Sequence, residues 1–261
     1  MAMDTPVEED PVSLLLSQMP SYLAPGGIGC LLLNWQYQDE DDWSAHPLSC
    51  LPEEGVQILL FELQRHDPKG YATHWVRQNA RFEDPEAREA EIERWVEYLE
   101  GRGSAGVSSG FLIMRRCEPG EEWVMAESRE LKHFTPLTGV EFRRVFENQS
   151  WLGKLRDDLA ILEERFRAVD GVQKEVVFGL ADGEWVTESI RLMSPARVMY
   201  DGHVDEALLK ILEDAGNGIL PRDFLPEIAR VAGVEEVPQI EAGVAGLLAE
   251  LVGRGLLEPA G

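Results

Sequence analysis

The stretch YLAPGGIGCLLLNW, residues 22–35, decides the fold. Ahead of it, residues 11–23 read as a helix. Pro11 suits the first turn, and Leu15, Met19, Tyr22 and Leu23 fall on one stripe. Pro25-Gly26-Gly27 stops that helix, because proline cannot continue it and glycine accepts the positive φ of a C-cap. Residues 28–33 are then an uncharged apolar run, the pattern of a strand covered on both faces. Cys30 inside the run reads as a small core residue. Helix, turn and buried strand are the punctuation of an α/β sheet.

The segments that follow keep this pattern. Asp39-Glu40-Asp41-Asp42 is a loop or the first turn of a helix, where acids suit the positive end of the helix dipole. VQILLFEL, residues 56–63, is a second strand. Asp84-Pro85 opens a helix with an acceptor cap and a proline at its first position. Ile92, Trp95, Val96 and Leu99 form its inner face, and Gly101 and Gly103 end it. VSSGFLIMRR, residues 107–116, is a third strand. The first two strands are joined across helical sequence, as parallel strands require. Residues 66–104 form a helical insert over one end of the sheet.

After Cys117 the texture changes. EPGEE is a turn and EEWVMAESR alternates like a half-exposed strand. Residues 151–169 are amphipathic, with Leu152, Leu155, Leu159, Leu162 and Phe166 at helical spacing. Residues 173–180 and 185–193 read as strands around the turn ADGE. Three helices are predicted at 204–214, 222–232 and 240–253, and RGLLEPAG trails as a short wing strand. The expected organisation is therefore an α/β domain over 1–117, a small α+β module over 118–200 and a winged-helix-like unit over 201–261.

Charge limits the partners. The 261 residues hold 24 Lys plus Arg against 48 Asp plus Glu, a formal net charge of −24. Such a chain repels phosphate backbones unless a local patch inverts the sign. Residues 201–261 carry Lys210, Arg222, Arg230 and Arg254 against twelve acids, so direct DNA binding by those helices is not expected. The acidic residues 1–10 read as a frayed end. No Lys or Arg precedes Arg65, which argues against the n-region of a secretory signal, and no apolar run is long enough to span a bilayer. Cys30, Cys50 and Cys117 are sparse and odd in number, which fits a reducing cytoplasm better than a disulfide framework.

The order of pieces resembles class I methyltransferases that use S-adenosylmethionine, from their fifth strand onward. In that fold an APGG-type turn precedes strand five, strand six follows, and strand seven inserts antiparallel between them. Residues 28–33, 56–63 and 107–116 would take those places. More narrowly, LAPGG, LLLNWQY, DDW and NQSWL, with the winged-helix-like tail, resemble multidomain bacterial proteins built around a methyltransferase small domain. That domain is shared with ribosomal-RNA guanine-N2 and glutamine-N5 methyltransferases. The resemblance implies a partial Rossmann-like sheet, S-adenosylmethionine as cofactor, and methylation of a nitrogen on RNA or protein. It also implies a departure. The family's glycine-rich loop after strand one and its Asn-Pro-Pro-Tyr-type motif after strand four have no counterpart here. GRGSAG, residues 101–106, follows a helix and precedes a strand, the wrong order for a cradle. The catalytic and cofactor residues are expected upstream of this chain, which would be a fragment, inactive alone and needing the missing half or a partner chain to cover its sheet edge.

Asn34 and Trp35 end the first strand at the carboxyl edge, where open α/β sheets bind ligands, and are the candidates for the substrate side of a cleft. The competing structural reading has Asn34 capping a turn and Trp35 packed under the cap. The Asp39–Asp42 cluster reads as a solvated helix start rather than a metal site, and no metal is expected. His46, His66, His74, His133 and His203 show no metal-site spacing. Trp75, Trp95 and Tyr98 could stack on a planar substrate, although the helical period places Trp95 in a core. Two other readings stand beside the methyltransferase portion: a non-catalytic binding or scaffold module derived from one, and an acidic winged-helix regulator.

Overall fold

The computed structural model describes residues 11–78, 84–129, 139–234 and 236–260. The acidic residues 1–10 and His133 lie outside them. The chain is mixed α/β and divides into two compact units, Met1–Leu131 and Lys132–Gly261.

In the first unit, helix α1 (Pro11–Tyr22) leads into strand β1 (Ile28–Tyr37) through the Pro-Gly-Gly turn. Gly26 there has φ of 71°, the left-handed region that glycine tolerates. A 3-10 turn (Glu40–Asp42) and the short helix α2 (Ala45–Ser49) connect to β2 (Val56–His66). Helices α3 (Pro68–Gln78) and α4 (Pro85–Gly101) follow, then β3 (Gly106–Arg116) and β4 (Trp123–Ser128). The sheet order is β1-β3-β2-β4. Strand β3 runs antiparallel to both β1 and β2, so those two are parallel to each other with β3 between them. This is the arrangement expected of the three strands. The Pro-Gly-Gly turn is pinned to the end of β3: the Gly26 amide donates to the Arg116 carbonyl, and the Arg116 amide to the Gly27 carbonyl, each at 3.0 Å.

One face of this sheet packs Leu33, Trp35, Val56, Ile58, Leu60, Leu112 and Met114 with Leu16 of α1, and Leu48 of α2 joins them. On the other face Phe61 and Phe111 stack at 5.0 Å, and α3 packs on β2 and β3. Strands β2 and β3 are thus covered on both sides, as apolar runs require. Strand β1 is not, which corrects the expectation from its composition. It is the edge strand, and its outer-face residues Ile28, Cys30, Leu32 and Asn34 are exposed, Leu32 by 84%. Cys30 is therefore a surface thiol rather than a core residue.

A second correction concerns residues 118–200. Strand β4, assigned by its alternation to the middle module, pairs parallel with β2 and completes the first sheet. The module boundary at 200/201 also fails. The second unit runs α5 (Gly139–Leu152), a 3-10 segment (Asp158–Glu163), β5 (Phe166–Ala168), the strands β6 (Gln173–Ala181), β7 (Glu184–Met193) and β8 (Asp201–Val204), then α6 (Glu206–Gly216), α7 (Pro221–Ala232), α8 (Pro238–Gly253) and β9 (Leu257–Pro259). A single core joins Ile161, Leu162, Phe166 and Leu192 to Ile211, Leu225, Ile228, Leu248, Leu251 and Leu257. The predicted helix over 151–169 does not form. Helix α5 ends at Leu152, beside Gly153; Leu162 reaches the core from a 3-10 segment and Phe166 from β5, Leu152 and Leu155 pack against that core, and Leu159 is exposed. The expected short strand at the end forms: β9 pairs antiparallel with β5, and its Leu257 is buried.

Gly110, in the middle of β3, is closely approached by backbone of the neighbouring strand. A β-bulge in β2 between Glu62 and Gln64 brings the Phe61 carbonyl onto it, and a Cβ at 110 would collide with that oxygen. Gly110→Ala is expected to destabilise the chain by about 3 kcal/mol, because backbone cannot step aside as a side chain can. Urea denaturation measures it. An unchanged midpoint would show that the bulge is not as close as described.

Candidate functional site

The carboxyl ends of β1 and β2 meet the amino end of β3 at one edge of the first sheet. The bulge in β2 decides what gathers there. Glu62 lies opposite Gly110 and Arg65 opposite Ser108, so Leu63 is the extra residue and Glu62 and Arg65 share a face. Without it, residues three apart on a strand would point to opposite sides.

The result is a polar node at the end of an apolar face. Glu62 is buried to 2% exposure. Arg65 forks onto it, Nε to Oε1 at 3.0 Å and the terminal nitrogen to Oε2 at 2.8 Å. The Ser108 hydroxyl donates to the same carboxylate. The Arg65 guanidinium lies 5.2 Å over the Tyr37 ring and donates to the Glu40 carbonyl at 3.1 Å. Burial pushes the Glu62 carboxyl up. The hydrogen bonds from Arg65, Ser108 and Ser128, with the charge of Arg65, outweigh it and hold the group below the usual carboxylate range. Glu62 is thus a fixed anion with its acceptors engaged, suited to holding this edge together rather than to giving a proton.

The structure splits the two predicted cleft residues. Trp35 is buried on the node's face, its indole N–H donating to the Trp43 carbonyl at 2.7 Å and its ring 6.1 Å from that of Trp43. Asn34 is exposed on the opposite face. Asp39 accepts from the Asp41 amide at 3.0 Å and caps the 3-10 turn of the acidic cluster.

A cleft opens on the other side of the same edge, about 530 Å³ in volume. His66 and Asp67 at the end of β2 line it together with Lys69, Gly70, Thr73, His74, Arg77 and Gln78 of α3. Lys69, Thr73 and Arg77, like Gly70, His74 and Gln78, are spaced by four and share one helix flank. Ala72 and Val76 fill the opposite flank and pack on Ile92 of α4. The His66 and His74 rings stack at 5.7 Å, and Gln78 Nε2 lies 3.0 Å from His74 Nε2. Sequence spacing did not join these histidines, because one ends a strand and the other sits two turns into a helix. The repeat by four along α3 was visible and is the signal that could have found the cleft. Burial and the Glu122 and Glu121 charges push the Cys117 thiol up to about 11, which disfavours its thiolate.

In the second unit, all four basic residues beyond residue 200 are paired. Lys210 meets Asp214 at 2.7 Å, Arg222 meets Glu163 and Glu241, Arg230 meets Glu227, and Arg254 lies 3.9 Å from Glu250. Among the described residues no helix is long and apolar enough to cross a membrane.

Residues 143–259 match a protein family described as Domain of unknown function (DUF7782). The match crosses residue 200 without a break, as the single core of the second unit does. No curated protein and no solved structure matches the chain.

Because the Glu62 group is held below its ordinary value, its stabilisation is present above the unfolded carboxylate range and is lost as pH falls through the folded value. Glu62→Gln is expected to cost about 3 kcal/mol at pH 7, since Arg65 keeps its charge and loses its partner. The variant should also lose part of the decline in stability between neutral pH and about pH 3. Denaturant titrations of both proteins at the two pH values measure this. Parallel pH profiles would show that Glu62 is not ionised in the fold.

Proposed function

We propose that the first unit supplies strands five, six and seven of a Rossmann-like methyltransferase sheet that uses S-adenosylmethionine, acting on a nitrogen of a macromolecule. The observation that carries this reading is the insertion of β3, antiparallel, between the parallel strands β1 and β2. Strand β4 beyond β2 is an addition to that pattern. The open edge of β1, with Ile28 and Leu32 exposed beside it, supports the same reading, because strand four would pair there.

The described residues do not fit the cofactor. No glycine-rich loop follows a strand, and the buried carboxylate at the carboxyl edge, Glu62, is already forked by Arg65. On this reading the cofactor loop and catalytic motif are not supplied by the described residues. What this chain contributes is position: a fixed sheet edge and a cleft-bearing helical insert, against which a substrate is oriented. The helices beyond residue 200, with their four cations each paired to a carboxylate, serve protein contact or packing rather than DNA binding. Calorimetry tests the division of labour. The chain alone should show no binding of S-adenosylmethionine at micromolar concentration, and a micromolar isotherm would contradict it.

The exposed β1 edge also favours a second reading, a non-catalytic scaffold module of the same descent that binds through this edge. Both readings require a partner strand or a second copy there. Light scattering at tens of micromolar, roughly where weak edge pairing becomes populated, should give a mass above one chain, and Leu32→Lys should restore the monomer. A clean wild-type monomer would count against both.

A further inference from the structure

We propose that the exposed flank of α3 is a binding site for single-stranded nucleic acid, with backbone phosphates on Lys69 and Arg77 and a base against the rings that begin at His74. The inference deepens the proposed function by naming its substrate class, and it rests on that reading for the chemistry done to the bound strand. The binding itself does not depend on it.

Three observations converge. The first is the sign of the charge. In a chain of net charge −24, the cleft wall presents Lys69 and Arg77 with one acid, Asp67, whose side chain accepts from the Gly70 amide at 2.5 Å. Among the described residues neither cation has a carboxylate within ion-pair distance, whereas the four cations beyond residue 200 are all paired. An unpaired cation pair in an acidic protein is a local inversion, the condition a phosphate backbone needs.

The second is a continuous series of rings leading away from the cleft. His66 stacks on His74, and His74 meets the edge of Trp75 at 5.9 Å. Trp75 touches Tyr71, Tyr71 touches Trp95, and Trp95 touches Tyr98, with centroids 6.1 to 6.3 Å apart. Arg102 closes the series 5.5 Å over Tyr98. Trp75 and Tyr98 remain 45% and 44% exposed. Ring faces left open beside cations are how proteins hold unpaired bases without reading their sequence.

The third is place and size. The cleft lies at the carboxyl end of β2, the edge at which α/β sheets meet their ligands. It is a shallow depression widely open to solvent, as a strand lying across it requires. On α4 the series runs beside acid, with the Trp95 indole N–H donating to Glu91 at 3.1 Å, so phosphates are held from α3 alone and few are engaged. Two contacts predict a shallow salt dependence, with a slope of about −1.4 in log K against log salt. A duplex fits poorly, because its bases are stacked on one another and cannot reach the rings.

Fluorescence anisotropy with a labelled oligoriboadenylate, its deoxy counterpart and the matching duplex tests the site, without S-adenosylmethionine. At low salt the single strands should bind saturably and the duplex at least about tenfold more weakly. Lys69→Glu with Arg77→Glu should abolish binding, and Trp75→Ala should weaken it about tenfold. Circular dichroism would confirm that these surface variants fold. No saturable binding by the wild-type chain, full binding by the charge-reversed variant, or equal affinity for duplex would each overturn the proposal. The ribose and deoxyribose arms separate RNA from DNA as the source. Failure here leaves the strand order untouched, and failure of the calorimetric test leaves this binding untouched.

Discussion

The first unit depends on one topological constraint: the last long strand, β3, must enter between two strands already laid down. Strands β1 and β2 run parallel and have no hydrogen bonds to each other, so neither is fixed until β3 pairs with both. Three features of the sequence serve that entry. Gly110 has no side chain where the bulged β2 comes closest. The Pro-Gly-Gly turn receives the far end of β3 through reciprocal bonds with Arg116. At the near end, Ser108 joins Glu62 to Arg65 and so ties β3 to β2 by side chains as well as by backbone.

The same constraint makes the two faces of the sheet differ at this edge. On the face of α1 and α2, the carboxyl edge is sealed by Trp35, Tyr37 and the Glu62 node, with every strong acceptor of that carboxylate in use. On the face of α3, the edge stays open as a cleft. If the proposed ligand binds there, the internally satisfied node beside the open cleft would let it be positioned without the sheet having to move.

Much of this was legible in residues 22–35 and in the runs at 56–63 and 107–116. Proline, glycine and uninterrupted apolar residues give strong local signals, and the strand order followed from the resemblance. The pairing of β4 with β2 was not legible, because alternation reports exposure and not which sheet a strand joins. Cys30 was misplaced for a related reason: an apolar run looks alike whether its second face is covered or awaits a cover. The segment 151–169 carries leucines at helical spacing, yet Gly153 and the Asp157-Asp158 pair interrupt the chain before a helix can extend. The Glu62–Arg65 node was hidden by a bulge, which has no sequence signature of its own. The cleft was half visible, since the period of four along α3 was there to read but the approach of His66 was not.

Amide hydrogen exchange along β1 tests the central claim most directly. If β3 lies between β1 and β2 and leaves the outer edge of β1 free, alternate amides of residues 28–37 should divide into two sets in dilute solution. Those bonded to β3 should be protected like the amides of β2 and β3, and those facing outward should exchange at close to the rate of unstructured chain. Uniform protection along β1 in the monomer would contradict the open edge, and with it the account of what this sheet is built to receive.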